Sequence, residues 1–253
     1  MMANSETTIQ AVCDKHGEYT AKEIKFEFSS KALRTGCPVC SEERKEYERR
    51  IHEHEEKERR QRLAEKRVEA RTKAGVPKRF EDKTLDNFEV VTDGQAKALA
   101  ECQRVVQGVR DKRGVNLILS GKPGTGKTHL SCGMINALFD NHTVKRIDWP
   151  DLIRKIRATW SRDCTFTEDD VLEYYGTIEL LILEEVGTGT GSDDEKARIF
   201  QVINRRYEAM LPTVIVTNLS IKELSTELGD RVIDRLREGE RSLVVFDWPS
   251  YRQ

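Results

Sequence analysis

The octapeptide GKPGTGKT, Gly121 to Thr128, has the residue types needed to surround phosphate. It fits G-x-x-x-x-G-K-[ST], with the apolar run VNLILS before it and the helix-forming run KTHLSCGMINALFDN after it. Gly121, Gly124 and Gly126 let successive backbone N–H groups converge on phosphate oxygens, with Lys122, Pro123 and Thr125 completing the loop. Lys127 is expected to reach the β- and γ-phosphates and Thr128 to hold Mg²⁺, while the helix start adds its positive dipole. The pattern in this context marks a nucleotide site.

Such a site needs carboxylates on a neighbouring strand, and LLILEEVG supplies Glu184 and Glu185 after four apolar residues. A first carboxylate holds Mg²⁺ through water and a second orients the attacking water. Glu184 stands where aspartate is usual, so its carboxylate reaches outward by roughly one bond length. Either a water leaves the metal shell or turnover is slow. Glu185 takes the base role; an intact Glu185→Gln enzyme beside a dead Glu184→Gln enzyme would exchange the two. Asn218 closes VIVTN, where an amide hydrogen-bonds water or the γ-phosphate as a sensor. An asparagine ending a strand before a turn is the plainer alternative.

A second constellation lies near the start. Cys13-x2-His16 and Cys37-x2-Cys40 form two ligand pairs with twenty residues between them. Four such ligands in paired knuckles suit a closed, structural, tetrahedral Zn²⁺ site, and so small a segment would fold largely on metal binding. His52 and His54 point to different faces of a helix and are not expected to join it.

These sites need elements to position them. The chain has 253 residues, 37% hydrophobic and 34% charged, with 43 basic and 44 acidic side chains and a formal net charge of −1. That balance gives no global attraction to nucleic acid, so any basic surface is local. No apolar run approaches the ~20 residues that span a bilayer. MMANSETTIQ lacks the pattern of a signal peptide, and the six cysteines fit a reducing cytoplasm. Composition divides the chain into a zinc-binding module (1–45), a charged helical linker (46–75) and an ATPase domain (76–253). The charged stretch runs from Ser41 to Lys73, with acids and bases at helical offsets, and Gly75 and Pro77 end it. Beyond it, VNLILS, TVKRID, ELLILEE and TVIVTN alternate with helical segments, which predicts an α/β fold with a mostly parallel sheet. Ser192 with Glu195, and Ser220 with Glu223, have capping-box spacing.

GDRVIDRLREGERSLVVFDWPSYR, together with VPKRFEDKTLDNF ahead of the phosphate loop, resembles the DnaC-type replicative helicase loaders and the related IstB transposition ATPases. The resemblance covers roughly Val76 to the C-terminus. It implies a P-loop AAA+ ATPase fold without a helical lid, ATP and Mg²⁺, and a spiral or ring homo-oligomer. It also implies binding of single-stranded DNA and of a replicative DnaB-type helicase hexamer. Arg235 takes the arginine-finger position, with Arg231 as second candidate; the two share a helix face. RKIRATWSR offers Arg154, Lys155 and Arg157 for phosphates and Trp160 for base stacking. The competing reading makes Leu152, Ile153, Ile156 and Trp160 the buried face of an amphipathic helix. The zinc module with its helix is expected to dock helicase, or to bind DNA. Three functions follow: an ATP-driven helicase loader, a transposase helper that remodels target DNA, or a zinc-bearing adaptor that uses ATP as a slow switch.

Overall fold

The computed structural model describes residues 5–26, 32–188, 192–238 and 240–251. The chain separates into two compact units, Met1–Glu65 and Lys66–Gln253.

The first unit holds an antiparallel sheet of β1 (Ser5–Cys13), β2 (Gly17–Lys25) and β3 (Ala32–Arg34), in that order. β1 and β2 form a hairpin whose last pair is Cys13 with Gly17. Its interior is minimal. Ala21 is buried, and the buried Glu23 carboxylate is held by Arg34 at 2.8 Å and Lys25 at 3.4 Å. A buried carboxylate needs such partners to remain charged.

Helix α1 (Pro38–Lys73) follows. It begins at Pro38 rather than at the expected Ser41, because proline suits the first helical turn. None of its residues is buried. It is held along its length by pairs such as Glu56–Arg60, Glu58–Arg62 and Glu69–Lys73, each four residues apart.

The second unit contains the last turns of α1 and an α/β domain. A 3₁₀ turn at Lys78–Phe80 leads to α2 (Asp93–Arg110), opened by a Thr92/Gln95 capping box. Then come β4 (Val115–Gly121), α3 (Lys127–Asn136), β5 (Val144–Asp148) and α4 (Trp149–Ala158). α3 is shorter than the sequence suggests, and residues 137–141 continue as turns. The remaining elements are α5 (Glu168–Thr177), β6 (Leu180–Val186), α6 (Asp193–Glu208), β7 (Thr213–Thr217), α7 (Ile221–Leu228), α8 (Asp230–Arg237) and β8 (Glu240–Phe246).

The five strands form one sheet, order β5-β6-β7-β4-β8, with every pair parallel. The continuous apolar runs follow from burial on both faces. Leu117, Leu119, Leu180, Ile182, Val214 and Val216 face a core shared with α2 and α3. Ile118, Leu181, Leu183 and Ile215 face a second core completed by α4, α6 and α8. With both faces packed, the carboxyl ends of β4, β6 and β7 are fixed, and ligands bind at such ends in open parallel sheets.

Candidate functional site

The strand ends open into a cleft of about 420 Å³. Gly124, Gly126, Lys127 and Thr128 line it after β4, Glu184 and Glu185 at the end of β6, and Thr217 and Asn218 at the end of β7. Gly126 caps α3 with a left-handed φ of 97°, and a Cβ there would lie 2.7 Å from the Phe88 ring. Only glycine fits both constraints. Lys127 is 7% exposed, and its Nζ donates to the carbonyls of Gly121 and Lys122 at 2.6 and 2.8 Å. The ammonium thus lies along the loop that it would share with phosphate.

The Thr128 hydroxyl donates to Glu184 Oε2 at 3.2 Å. Two groups 56 residues apart therefore meet at the place where a divalent cation would lie, and their donor set of hydroxyl and carboxylate oxygen suits Mg²⁺. Glu184 is 2% exposed; Ser131 donates to Oε1, and Arg146 donates to Oε2 at 2.8 Å. Burial works against the Arg146 charge, but its hydrogen bond and attraction to Glu184 outweigh that and raise its pKa. Arg146 also reaches Asp148 at 3.1 Å, and burial raises the Asp148 carboxyl.

Glu185 is exposed and has a φ of 56°. A non-glycine residue there is strained by about 1–3 kcal/mol, a strain concentrated at functional sites. Its carbonyl accepts from the Thr188 backbone N–H at 3.2 Å and from the Thr188 hydroxyl at 2.8 Å, which holds the turn. Asn218 is exposed at the end of β7, beside Thr217, whose hydroxyl ties β7 to Val186 O at 2.7 Å.

Several supporting residues are not apparent in the linear pattern. Trp248 Nε1 donates to Thr125 O, and the Tyr251 backbone N–H donates to Gly124 O, both at 2.9 Å. The Tyr251 hydroxyl receives a bond from Gln95 at 2.6 Å and donates to Glu89 O. The tail after β8 therefore braces the phosphate loop. Phe88 packs edge-on against both His129 and Tyr251. The aromatic density of FDWPSY was the one available signal.

The two arginines lie outside the residues lining this cleft. Arg235 donates to Asn204 Oδ1 at 3.2 Å, stacks 4.4 Å from the Tyr207 ring centroid and lies 3.8 Å from Glu238. Arg231 is exposed one turn earlier, with no hydrogen bond or ion pair among the described residues.

The basic segment divides. Leu152, Ile153 and Ile156 are buried, but Trp160 lies beyond α4, 55% exposed, with its indole N–H on Glu168 at 2.9 Å. Trp160 therefore leaves the buried face to which the competing reading assigned it. Arg154 pairs with Asp151 at 2.6 Å, whereas Arg157 holds the buried Glu195 at 2.9 Å and so stabilises the fold. Lys155 is exposed.

In the first unit, the ligand atoms of Cys13, His16, Cys37 and Cys40 all lie within 4.8 Å of one another. Cys13 Sγ is 3.6 Å from Cys40 Sγ, and His16 Nδ1 is 3.8, 3.7 and 3.2 Å from the sulfurs of Cys13, Cys37 and Cys40. A tetrahedron with Zn–S of about 2.3 Å has S···S edges of about 3.8 Å, so the set fits zinc. His16 Nε2 faces Glu43 Oε1 at 3.3 Å, leaving Nδ1 as the ligand atom, and Glu43 also takes Lys15. The backbone N–H groups of Lys15 and His16 lower the Cys13 thiol to about 6, while Cys13 beside it raises Cys40 to about 11. The hairpin turn supplies the first pair of ligands and the start of α1 the second.

Among the described residues, no helix is long and apolar enough to cross a membrane. The sequence matches the family described as IstB-like ATP binding protein over residues 19–238. The replicative helicase loader DnaC of Buchnera aphidicola subsp. Acyrthosiphon pisum (strain APS) is 33% identical over 182 residues, 72% of this chain and 74% of that protein. The crystal structure of the DnaC helicase loader is similar with a TM-score of 0.58 at 25% identity, covering 67% of this chain and 99% of that one. DnaI, with a TM-score of 0.56 at 22% identity over 70% of this chain and 95% of that one, shares the fold. This chain belongs to the family of DnaC-type and IstB-like AAA+ ATP-binding proteins.

Proposed function

We propose that this chain is an ATP-dependent loader that binds a replicative DnaB-type helicase and single-stranded DNA and delivers the helicase during initiation of DNA replication. The observation that carries the reading is the Thr128–Glu184 contact at the mouth of the phosphate loop, in a chain 33% identical to a helicase loader over 72% of its length. The loop amides from Gly121 to Thr128 and the Lys127 ammonium hold the triphosphate of ATP. Thr128 and Glu184 hold Mg²⁺, which when bound neutralises charge on the phosphates. Glu185 accepts a proton from the attacking water and Asn218 orients that water. Arg235, with Arg231 beside it, reaches the site of a neighbouring subunit in a spiral or ring, where such a residue raises rates ~10³–10⁵-fold. Hydrolysis to ADP and phosphate is slow and modulated by DNA and partner.

Trp160, with Arg154 and Lys155, provides the stacking and phosphate contacts for single-stranded DNA. Cys13, His16, Cys37 and Cys40 bind a structural Zn²⁺, and the module so formed, with α1, docks the helicase. The protein works in the cytoplasm. The IstB-like match over residues 19–238 favours one further reading, an ATPase helper of a transposase. The Arg146 clasp on Glu184 favours another, a slow ATP-dependent switch.

Co-elution with a DnaB-type hexamer in size-exclusion chromatography tests the proposal. ATP-dependent co-elution, and ATP turnover that responds to single-stranded DNA, are expected. Capture of a transposase with no helicase binding would move the function to the transposition helper.

A further inference from the structure

Arg146 lies on β5, in a strand that the nucleotide chemistry leaves without a role. Its side chain is 11% exposed, and the guanidinium has three contacts: Glu184 Oε2 at 2.8 Å, Asp148 Oδ1 at 3.1 Å and Gly75 O at 3.4 Å. Its Nε is buried without a hydrogen-bond partner. Its backbone N–H donates to Ala74 O at 2.8 Å, so the segment just after α1 pairs with the edge of β5. Gly75 is locked there: its φ is 92°, and a Cβ would lie 2.0 Å from the Arg146 carbonyl oxygen. One residue therefore touches both the metal carboxylate and the chain at the foot of α1.

We propose that Arg146 is a positioning residue that couples occupancy of the metal position to the segment Ala74–Val76. The proposal rests on the assignment of Thr128 and Glu184 to Mg²⁺. A guanidinium and a divalent cation compete for the same buried carboxylate, and like charges repel more strongly in a dry site than in water. With the metal position filled, Arg146 shifts its hydrogen bonding from Glu184 towards Asp148 and Gly75. That tightens the 3.4 Å contact with Gly75 and protects the Arg146–Ala74 backbone bond.

Hydrogen exchange of the Arg146 amide, with saturating ATP plus Mg²⁺ or ATP plus chelator at pH 8, tests this directly. In the unaltered protein the amide exchanges at least about tenfold more slowly when the metal is present. Arg146→Met removes the charge and the fork, so it abolishes the metal-dependent difference. It also tightens apparent Mg²⁺ affinity of the ATP-loaded protein by about tenfold. Arg146→Lys keeps the charge but not the reach to Gly75, so it leaves metal affinity near that of the unaltered protein and loses the exchange effect. A metal-dependent difference of the same size in Arg146→Met would overturn the proposal. So would no difference in the unaltered protein while ATP and Mg²⁺ are bound. Absence of ATP binding in the unaltered protein would instead remove the site assignment, and this proposal with it.

Discussion

The nucleotide cleft and the cysteine–histidine cluster solve the same problem, holding several side chains in one geometry, by opposite means. The cleft draws its residues from Arg79 to Tyr251, and two packed cores on either side of a five-stranded parallel sheet fix them. The cluster draws its ligands from a hairpin turn and one helix start, next to a sheet with scarcely any apolar interior. In the first region the scaffold precedes the ligand. In the second, the zinc we propose would be most of the scaffold, since a sheet with so little apolar interior has a small core to fold on.

Metal removal breaks this comparison most sharply. Chelation of zinc, or Cys37→Ser, unfolds the first unit while the second keeps its ATP affinity, because structural zinc supplies on the order of 10–16 kcal/mol. Limited proteolysis and nucleotide titration on the same sample check it; joint loss of both would mean that the units are not independent. Glu185→Gln probes the other side of the contrast. Hydrolysis falls by about 10²–10⁴-fold while ATP binding and melting temperature hold, as expected of a base on a prebuilt scaffold. Parallel turnover and binding assays read this out, and an equal loss of binding would reassign Glu185. The smallest effect is on the cluster's outer contact. Glu43→Gln lowers zinc affinity by about 10–100-fold without unfolding the metal-loaded unit, measured by competition with a chromogenic chelator.

The two regions also differ in how far the sequence reveals them. VNLILS, ELLILEE and TVIVTN carry continuous apolar centres because both faces of their strands are covered, and that signal survives in one dimension. The phosphate loop is a local motif, and its partner Glu184 ends an apolar strand, so each was readable alone. Arg146 was not, because its contacts depend on β5 lying beside β6 with Asp148 opposite Glu184, a register that no spacing encodes. Trp248 and Tyr251 act on Thr125 and Gly124, more than a hundred residues upstream in each case. In the first unit the ligand spacing was plain, but β1 to β3 have little alternation to read, since few of their residues are buried. Trp160 shows the limit of periodicity from the other side. It falls at a plausible helical offset from Ile156, yet α4 ends at Ala158 and turns it outward.

With the role proposed for Glu185, its left-handed backbone sets thermal robustness and turnover against each other at a single position. Glycine would relax that conformation and raise the melting temperature, while removing the carboxylate to which we assign proton transfer. A screen that rewards heat tolerance alone would thus be drawn to Glu185→Gly and would select sturdier molecules that no longer turn over ATP.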